Sequence, residues 1–223
     1  IFIEQAVNKM GRRNKERLTT RDLQAIERRQ QILDTAKSLF AQNGYHATTT
    51  RAISRKIKMA DGLIYHYFPQ GKQEILWTIV GEYSSTNLLE IKKRLATIPD
   101  NLPIRETLLE TGSLFLHNLM NDRDVITIVL REQQNLPQEL FWKVGEEIKL
   151  IGVQITQILE KRAAKNEIVA FDFNLMANQF FSSIALYLLQ LFLFNGNDLF
   201  GLTADAYLES VVNHTLKTWQ IQD

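Results

Sequence analysis

The chain has 223 residues and no cysteine, and it contains only 4 prolines and 10 glycines. The lack of cysteine excludes disulfides, thiolate metal ligands and a cysteine nucleophile, and it fits a reducing compartment. No alternating run of Val and Ile is bounded by turn residues, whereas apolar residues recur at helical spacing along most of the chain. The sequence therefore predicts an all-α protein.

The chain as a whole also lacks an excess of positive or negative charge, because its formal net charge is only +1. This total averages two unlike parts. Residues 1–75 hold 14 basic and 7 acidic side chains, a net +7, whereas residues 76–223 hold 12 basic and 18 acidic ones, a net −6. Such asymmetry is expected when one end of a protein meets a polyanion. A solvated basic surface without a partner is the alternative.

Motifs for catalysis and metal binding are missing as well. The four histidines (His46, His66, His117 and His214) are scattered, and no pair has the spacing of metal ligands. The chain has no G-x-S-x-G elbow and no phosphate-binding glycine loop. We therefore expect no catalytic residue, no metal and no cofactor, and the chain is not predicted to be an enzyme.

Long hydrophobic runs are limited to one region. No charged residue lies between Asp172 and Asp198, and residues 180–194 are almost continuously apolar. Fifteen residues at about 1.5 Å each span about 22 Å, shorter than the roughly 30 Å hydrocarbon core of a membrane. We therefore predict a helix that packs on its own domain on one face and on a second subunit on the other. No secretion signal is recognisable, and we expect a cytoplasmic protein without a membrane partner.

The helical pattern predicts about nine helices. Residues 1–20 are polar and basic, and we expect an arm that either reaches into a DNA minor groove or is a solubilising tail. A long helix over 20–43 ends at Gly44, two short helices follow, and a fourth long helix starts near Lys72 and ends before Pro99. Further helices are predicted over 104–121, 123–135, 137–165, 174–195 and 203–220.

Two short helices packed on a longer one are typical of a helix-turn-helix, whose second short helix enters the major groove of DNA. The residues make this prediction specific: GYHATTTRAI at 44–53, GLIYHYFP at 62–69, and Lys72. These segments closely resemble the N-terminal domain of the tetracycline-repressor-like (TetR/AcrR) transcriptional regulators, over about residues 27–76. The remaining helices match that family only in number and order.

The resemblance implies a prokaryotic, ligand-responsive DNA-binding transcriptional regulator, located in the cytoplasm with the nucleoid. Its parts would be a basic arm at 1–20, a helix-turn-helix domain at 21–71 with the motif at about 49–68, and a helical ligand-sensing and dimerisation domain at 72–223. As a homodimer it would repress from a palindromic operator in double-stranded DNA, until a small-molecule effector releases it. The alternative is a helix-turn-helix adaptor whose helical domain binds a protein partner.

The family's DNA contacts fall on matching positions of this sequence. Hydroxyls and backbone N–H groups at the start of the first motif helix suit a phosphate, and Arg51 can reach a base edge. Gly62 allows close backbone approach, and a Leu63 methyl can touch a thymine methyl. Tyr67 and Phe68 are predicted to turn into the core. The resemblance places the DNA contacts on Thr49, Thr50, Arg51, Asp61, Gly62, Leu63, Tyr65, His66 and Lys72, the last three of them on phosphates.

Three residues depart from the family's pattern. Lys58 stands where the family has a turn glycine, so a side chain must tolerate that backbone conformation. Ala60 replaces the Ser or Thr that caps the recognition helix, a loss of about 1 kcal/mol unless Asp61 takes over. Asp61, beside a polyanion, either caps the helix or accepts a hydrogen bond from a cytosine amino group.

The acidic remainder is expected to hold the dimer interface and a ligand pocket. One helix-turn-helix contacts too little DNA for tight specific binding, whereas two related by a twofold axis read a palindrome. The predicted dimer residues lie on the uncharged helix and the last helix, and are Phe181, Ile184, Leu188, Leu191, Tyr207, Val211, His214 and Trp219. The predicted pocket mixes apolar walls with polar anchors, and its residues are Phe115, His117, Arg131, Trp142 and Tyr187.

Overall fold

The computed structural model describes residues 19–120, 122–194, 199 and 201–219. Over these ranges the chain forms nine α-helices and two short 3-10 turns, and it contains no strand. The predicted all-α class is therefore confirmed. Of the arm predicted at 1–20, all but Thr19 and Thr20 lies outside the described residues.

Four helices make up the first part of the chain: α1 is Thr20–Asn43, α2 is Thr50–Lys56, α3 is Ile64–Tyr67 and α4 is Lys72–Leu95. A 3-10 turn at Asp61–Leu63 runs directly into α3, and we call the two together the recognition helix. These bounds agree with the sequence predictions to within one turn. The two short helices of the predicted helix-turn-helix are α2 and the recognition helix.

Side-chain caps set where α1 and α2 begin. The Thr19 hydroxyl accepts a hydrogen bond from the Asp22 backbone N–H, and the Asp22 carboxylate accepts one from the Thr19 N–H, which is a capping box. At the start of α2, the Thr49 hydroxyl accepts from the Ala52 N–H at 3.0 Å. The C-terminal cap of α1 is Gly44, whose φ of 83° is unfavourable for a residue with a Cβ.

Five helices follow: α5 Ile104–Met120, α6 Arg123–Arg131, α7 Gln138–Ala164, α8 Phe173–Leu193 and α9 Ala204–Trp219. The single helix predicted over 123–135 is interrupted, because α6 ends at Arg131 and a separate 3-10 turn covers Gln133–Asn135. Glu132 lies between the two and takes a φ of −111° and a ψ of 21°, outside the α-helical range.

The described residues divide into two compact units. Unit 1 contains the residues up to Tyr83 together with Thr127–Pro137, and unit 2 contains Ser84–Ile126 and the residues from Gln138 onward. The division falls inside α4 and inside α6, whereas the sequence places the domain boundary between residues 71 and 72. The segment Thr127–Pro137, which no sequence pattern marks out, belongs with the helix-turn-helix.

Unit 2 has a core of apolar side chains contributed by α4, α5, α7, α8 and α9. Ile91, Leu116 and Ile184 are at most 2 % exposed within it. Helices α5 and α9 approach closely at Gly112, where an added Cβ would lie 2.4 Å from Leu208 Cδ1. A larger residue at this position would therefore have to displace the Leu208 methyl from the packing of the two helices.

Helix α8 is, among the described residues, the one helix long and apolar enough to cross a membrane by length and composition. It has 21 residues, more than the apolar run seen in the sequence, so the length argument against a membrane span does not hold. One face, with Met176, Phe180 and Ile184, is buried in unit 2. The opposite face is exposed. The burial of one face agrees with the prediction that this helix packs on its own domain. Packing of the other face on a second subunit stays a prediction.

Candidate nucleic-acid interface

A small apolar core holds the helix-turn-helix of unit 1. Ile32 and Phe40 of α1, Ile53 of α2, and Ile64 and Phe68 at the recognition helix are at most 1 % exposed. The burial of Phe68 confirms the prediction that this ring turns inward. Because each short helix buries one side in this core, its other side faces outward.

The outward side of the recognition helix carries residues predicted to contact DNA. Leu63 is 41 % and Tyr65 51 % exposed, and Gly62 and His66 are exposed beside them. A Cβ built on Gly62 would meet no atom within 4 Å, so nothing in the described protein requires glycine there. The ring of Tyr67 is half-buried and lies edge-on to that of His66. The exposed side chains can therefore contact a nucleic acid without disturbing the core.

Two contacts join α2 to the recognition helix on this outward side. The Arg51 Nε lies 3.1 Å from the Asp61 Oδ2, and the Thr50 Oγ1 lies 3.5 Å from the Tyr65 hydroxyl. No side chain caps the start of the recognition helix at Ala60, and the Asp61 carboxylate faces Arg51 instead. Asp61 therefore does not cap the recognition helix, which is one of the two roles expected from the sequence. Its contact with a cytosine stays a prediction.

The position of the Tyr65 ring depends on Gly71. Gly71 has a φ of 64°, and a Cβ added to it would lie 3.0 Å from the Tyr65 Cε1. A side chain there would strain the backbone and displace the ring. The turn at 69–71, which the sequence identifies only as a helix break, thus leaves room for a residue of the candidate interface.

Lys72 has surroundings that differ from the expected phosphate contact. Its ammonium donates to the Tyr45 carbonyl at 2.7 Å and lies 4.1 Å from the centre of the Tyr45 ring. Burial lowers the pKa of this ammonium, and the negative charge of Glu132 acts in the opposite direction. Burial also raises the pKa of the Tyr45 hydroxyl. Lys72 therefore anchors the turn that precedes α2, and its contact with a phosphate stays a prediction.

The turn between α2 and the recognition helix contains Lys58, which has a φ of 53°. This left-handed conformation is uncommon for a residue other than glycine. The Lys58 N–H donates to the Arg55 carbonyl at 3.2 Å, and the Met59 N–H donates to the Ser54 carbonyl at 2.9 Å. The expectation that a lysine side chain tolerates the glycine conformation is therefore confirmed.

Glu132, in the segment Thr127–Pro137, holds the turn before α2 from the other side. Its carboxylate is in a residue only 7 % exposed, and it accepts hydrogen bonds from the Tyr45 backbone N–H at 2.9 Å and from the Asn135 side chain at 2.8 Å. The Trp77 indole N–H donates to the Asn135 carbonyl at 2.9 Å. Sequence reasoning missed Glu132, because a glutamate at the end of an amphipathic helix carries no signal of burial.

Arg131 has a different place from the one predicted. The sequence assigns it to a ligand pocket, whereas the structure places it in unit 1 with an exposed side chain. Its guanidinium donates to the Ala41 carbonyl at 2.9 Å. The last carbonyls of a helix have no partner within the helix, so Arg131 satisfies one of these groups at the end of α1.

The comparison with known families decides what this unit is. A family model described as "Bacterial regulatory proteins, tetR family" matches residues 32–77, which run from α1 into α4. Residues 32–77 of this chain are thus similar to the DNA-binding segment of the tetR family. Proteins of this family are helix-turn-helix transcriptional regulators and not enzymes.

Individual relatives extend the comparison. The regulator HbdR of Aromatoleum sp. (strain CIB) is 39 % identical over 69 residues, which are 31 % of this chain and 30 % of HbdR. The structure of PfmR from Thermus thermophilus has a TM-score of 0.67 at 17 % identity, over 84 % of this chain and 97 % of PfmR. The structure of FadR from Bacillus subtilis in complex with stearoyl-CoA has a TM-score of 0.62 at 23 % identity, again over 84 % and 97 %. The solved structures show a shared fold, and the match to HbdR covers less than a third of that protein.

The residues predicted to line the ligand pocket line neither of the two crevices described below for unit 2. Tyr187 is buried, and its hydroxyl donates to the Leu202 carbonyl at 3.2 Å. Trp142 is 68 % exposed, His117 is exposed, and Phe115 is half-buried. Arg131 belongs to unit 1, and a ligand pocket at these five residues stays a prediction.

Unit 2 instead contains two apolar crevices. One is lined by Met120, Arg123, Leu188, Leu191 and Phe192. The other is lined by Thr107, Leu108, Thr111, Ile155, Ile158, Leu159, Ala177, Phe180, Phe181 and Trp219. Sequence reasoning did not assign these residues to a pocket, because an apolar residue at helical spacing has the same pattern whether it lines a crevice or fills a core.

The predicted dimer residues are divided by burial. Ile184, Leu188 and Trp219 are at most 5 % exposed within unit 2, so they present no surface to a second chain, and this part of the prediction needs correction. The remaining five keep some exposed surface: Phe181, Leu191, Tyr207, Val211 and His214.

The exposed face of α8 carries other apolar side chains. Leu175, Leu186, Leu189 and Leu193 are each between 39 % and 65 % exposed. Their spacing places them along one side of the helix, away from the buried side of Ile184. Helix α8 therefore remains a candidate interface, but through a different face from the predicted one. Neighbouring residues of a helix point about 100° apart, so a small shift in sequence changes the face.

Proposed function

We propose that this chain is a tetR-family repressor that binds a palindromic operator as a homodimer and is released by a small molecule. The observation that carries the DNA-binding part is the outward side of the helix-turn-helix. There Arg51, Leu63, Tyr65 and His66 are exposed on two adjacent short helices whose other sides are buried. This arrangement suits a recognition helix in the major groove and a first helix that crosses the backbone.

Within this interface the exposed side chains have different proposed roles. The Arg51 guanidinium matches the O6 and N7 acceptors of guanine, and a Leu63 methyl matches the thymine methyl, so both read bases. The Tyr65 hydroxyl and the His66 ring donate to phosphates, which carry no sequence information. Lys72 supports the same surface by holding the Tyr45 turn in place.

Two copies of the chain are needed for this reading of DNA. A single helix-turn-helix covers one half-site, and twofold symmetry of the protein matches an inverted repeat in the operator. The exposed leucines of α8 supply an apolar face for the second copy. The half-buried Tyr207 and Val211 of α9 are proposed to lie in the same contact.

The proposed effector is an apolar small molecule. Both crevices of unit 2 have mostly aliphatic and aromatic walls, and the structurally similar FadR of Bacillus subtilis was solved with stearoyl-CoA. Release follows if the effector binds more tightly to a conformation that fits DNA less well, because affinity then falls by that difference in binding free energy.

Selection of bound sequences from random duplexes with the full chain tests the DNA-binding proposal. We expect an inverted repeat to be enriched. Tyr65→Ala is expected to weaken binding to every duplex roughly tenfold, since it removes a hydrogen bond to a charged group. Arg51→Ala is expected in addition to relax the preference at one base pair of each half-site. Lys217→Ala, which removes an exposed cation of α9, is the control, and enrichment of no repeat would contradict the proposal.

The effector is tested by thermal shift with long-chain fatty acids and their CoA thioesters. A compound that raises the melting temperature is expected to weaken binding to the selected operator as well. A compound that stabilises the chain and leaves operator affinity unchanged would contradict release by that compound.

A second candidate function rests on α7. Phe141, Trp142 and Ile148 are exposed there by 42 %, 68 % and 55 %, and exposed apolar patches mark contacts with other proteins. In this alternative the helical unit binds a protein partner instead of a small molecule. It predicts that no compound of the panel shifts the melting temperature, and that one protein co-purifies with the wild-type chain and not with Trp142→Ala.

The proposed location is the cytoplasm, in contact with the nucleoid, because the operator is there. The exposed apolar face of α8 is then covered by the second copy of the chain and not by lipid. Solubility without detergent, together with a dimer in light scattering, is the expected result.

A further inference from the structure

We infer that Asp61 sets the base specificity of this chain by acting through Arg51. Its carboxylate holds the guanidinium at Nε and leaves the two terminal nitrogens free to read a guanine. This inference rests on the DNA-binding surface proposed above and assigns Asp61 a task within it. Asp61 is thus a positioning residue, and the base contact itself belongs to Arg51.

The geometry places the two side chains at one junction. Arg51 lies in the first turn of α2, and Asp61 is the first residue of the recognition helix. The Nε of Arg51 and the Oδ2 of Asp61 are 3.1 Å apart, and the side chains remain 67 % and 50 % exposed. The pair therefore lies on the outward side of the motif, where a base edge can reach it.

The alternative duties of an aspartate at this position are not performed here. No side-chain hydrogen bond caps the start of the recognition helix at Ala60. Exposed ion pairs add little to stability, so the pair has no large structural purpose. The carboxylate instead faces the guanidinium of Arg51, and direct contact of Asp61 with a base is the alternative that the experiment below tests.

The chemistry of the guanidinium makes this direction important. Arginine presents its donors in a fixed fork, and the two terminal nitrogens can donate together to O6 and N7 of guanine. A carboxylate bound at Nε contacts the side of the fork, so the end of the fork stays free. A free arginine must lose its side-chain freedom when it binds a base, whereas one already held by Asp61 loses less.

The same carboxylate has an opposite effect on general attraction to DNA. Phosphates repel a negative charge regardless of sequence, so Asp61 weakens binding to every duplex. Fixing Arg51, by contrast, strengthens binding only where a guanine is present. Removing the carboxylate is therefore expected to raise affinity for random DNA and lower discrimination, two changes of opposite sign.

The experiment compares the full chain with Asp61→Asn, Asp61→Ala, Arg51→Ala and the double variant of Arg51→Ala and Asp61→Ala. Each is used to select from a duplex library with a randomised centre, and then titrated against the wild-type site and a scrambled duplex. Asp34→Asn is the control, because it removes an exposed carboxylate from α1 of the same unit.

We expect Asp61→Asn and Asp61→Ala to bind the scrambled duplex about two- to fivefold more tightly. We also expect the guanine preference at one base pair of each half-site to fall about two- to fivefold, the size that an exposed ion pair can support. In the Arg51→Ala background the loss of that preference should be absent, since there is no guanidinium left to hold. Asp34→Asn should leave the preference unchanged.

Three results would overturn the inference, and they differ from failure of the proposed function. If the Asp61 variants bind all DNA more tightly with an unchanged preference, Asp61 only repels phosphate. If preference falls equally in the Arg51→Ala background, Asp61 reads a base itself. If Arg51→Ala keeps the wild-type preference, Arg51 reads no base. Failure of the proposed function looks different, because the wild-type chain would then enrich no sequence at all.

Discussion

The surfaces of the two units differ in kind. The outward side of the helix-turn-helix in unit 1 presents a guanidinium, hydroxyl groups and an imidazole, and the sequence around it is basic. Unit 2 holds most of the exposed large apolar side chains among the described residues, with Leu186, Leu193 and Trp142 more than half exposed. Cations and hydroxyls suit a polyanion, whereas apolar patches suit another protein surface. The difference assigns separate partners to the two units.

Each unit also buries a charged side chain, but in a different place. Unit 1 buries the Glu132 carboxylate between the Tyr45 N–H and the Asn135 side chain, and Lys72 binds the same turn. Unit 2 buries the Arg162 guanidinium beside its apolar core, where it donates to the Thr107 hydroxyl at 2.9 Å. Hydrogen bonds have direction and therefore fix the backbone of a turn, whereas apolar packing tolerates rearrangement. Unit 1 thus uses polar burial at the turn that leads into its candidate interface.

The largest effect is expected from charge on the apolar face of unit 2. Changing Leu186 and Leu189 together to arginine places two cations in the proposed dimer contact. We expect a monomer in light scattering, because charges in an apolar interface lose hydration without a partner. Operator affinity should fall about a hundredfold or more, since the two half-sites are no longer bound by one linked molecule.

The matched control for this change is Gln157→Arg, an exposed polar residue on α7 of the same unit. It adds a cation outside the exposed apolar face of α8 and should leave both the dimer and operator binding intact. A leucine variant that remains dimeric would show that the exposed face of α8 is not the contact. This face of unit 2 would then have no assigned protein partner.

A smaller effect is expected from the buried carboxylate of unit 1. Glu132→Ala leaves the Tyr45 N–H and the Asn135 amide without their acceptor and should lower the free energy of unfolding by about 2 to 3 kcal/mol. Glu132→Gln keeps an acceptor oxygen and should cost less than half of that. Urea unfolding measures both, with Glu139→Ala as an exposed control. Equal stability of the Glu132→Ala and Glu139→Ala variants would refute the structural role of this carboxylate.

Much of the local structure could be predicted from the sequence. The ends of α1 and α2 follow from a capping threonine and from Gly44, whose signals lie within a few residues of the helix they terminate. The helix-turn-helix follows from a motif with its own turn residues. Lys58 could be assigned a strained turn for the same reason. Local rules are sufficient wherever cause and effect are neighbours in the chain.

Contacts distant in sequence could not be predicted. The ends of the Tyr45–Glu132 hydrogen bond are 87 residues apart, and no sequence pattern connects them. The buried Leu188 and the exposed Leu189 are adjacent leucines, and only the placement of the helix decides which one faces inward. The same applies to Arg131, whose charge suits a ligand anchor equally well and which instead caps α1.

The smallest effect is expected from glycine substitutions at two turns, one in each unit, whose residues have a positive φ. Lys58 in unit 1 and Asn166 in unit 2 have φ values of 53° and 57°. Glycine relieves the clash of the Cβ at such a position but costs about 0.5 to 1 kcal/mol in the freedom of the unfolded chain. Asparagine tolerates this conformation better than lysine, because its short side chain bonds to the local backbone. Lys58→Gly should therefore raise the free energy of unfolding by about 0.5 kcal/mol, whereas Asn166→Gly should not raise it. Urea unfolding measures both variants. An equal gain at both positions would mean that the lysine is no more strained than the asparagine.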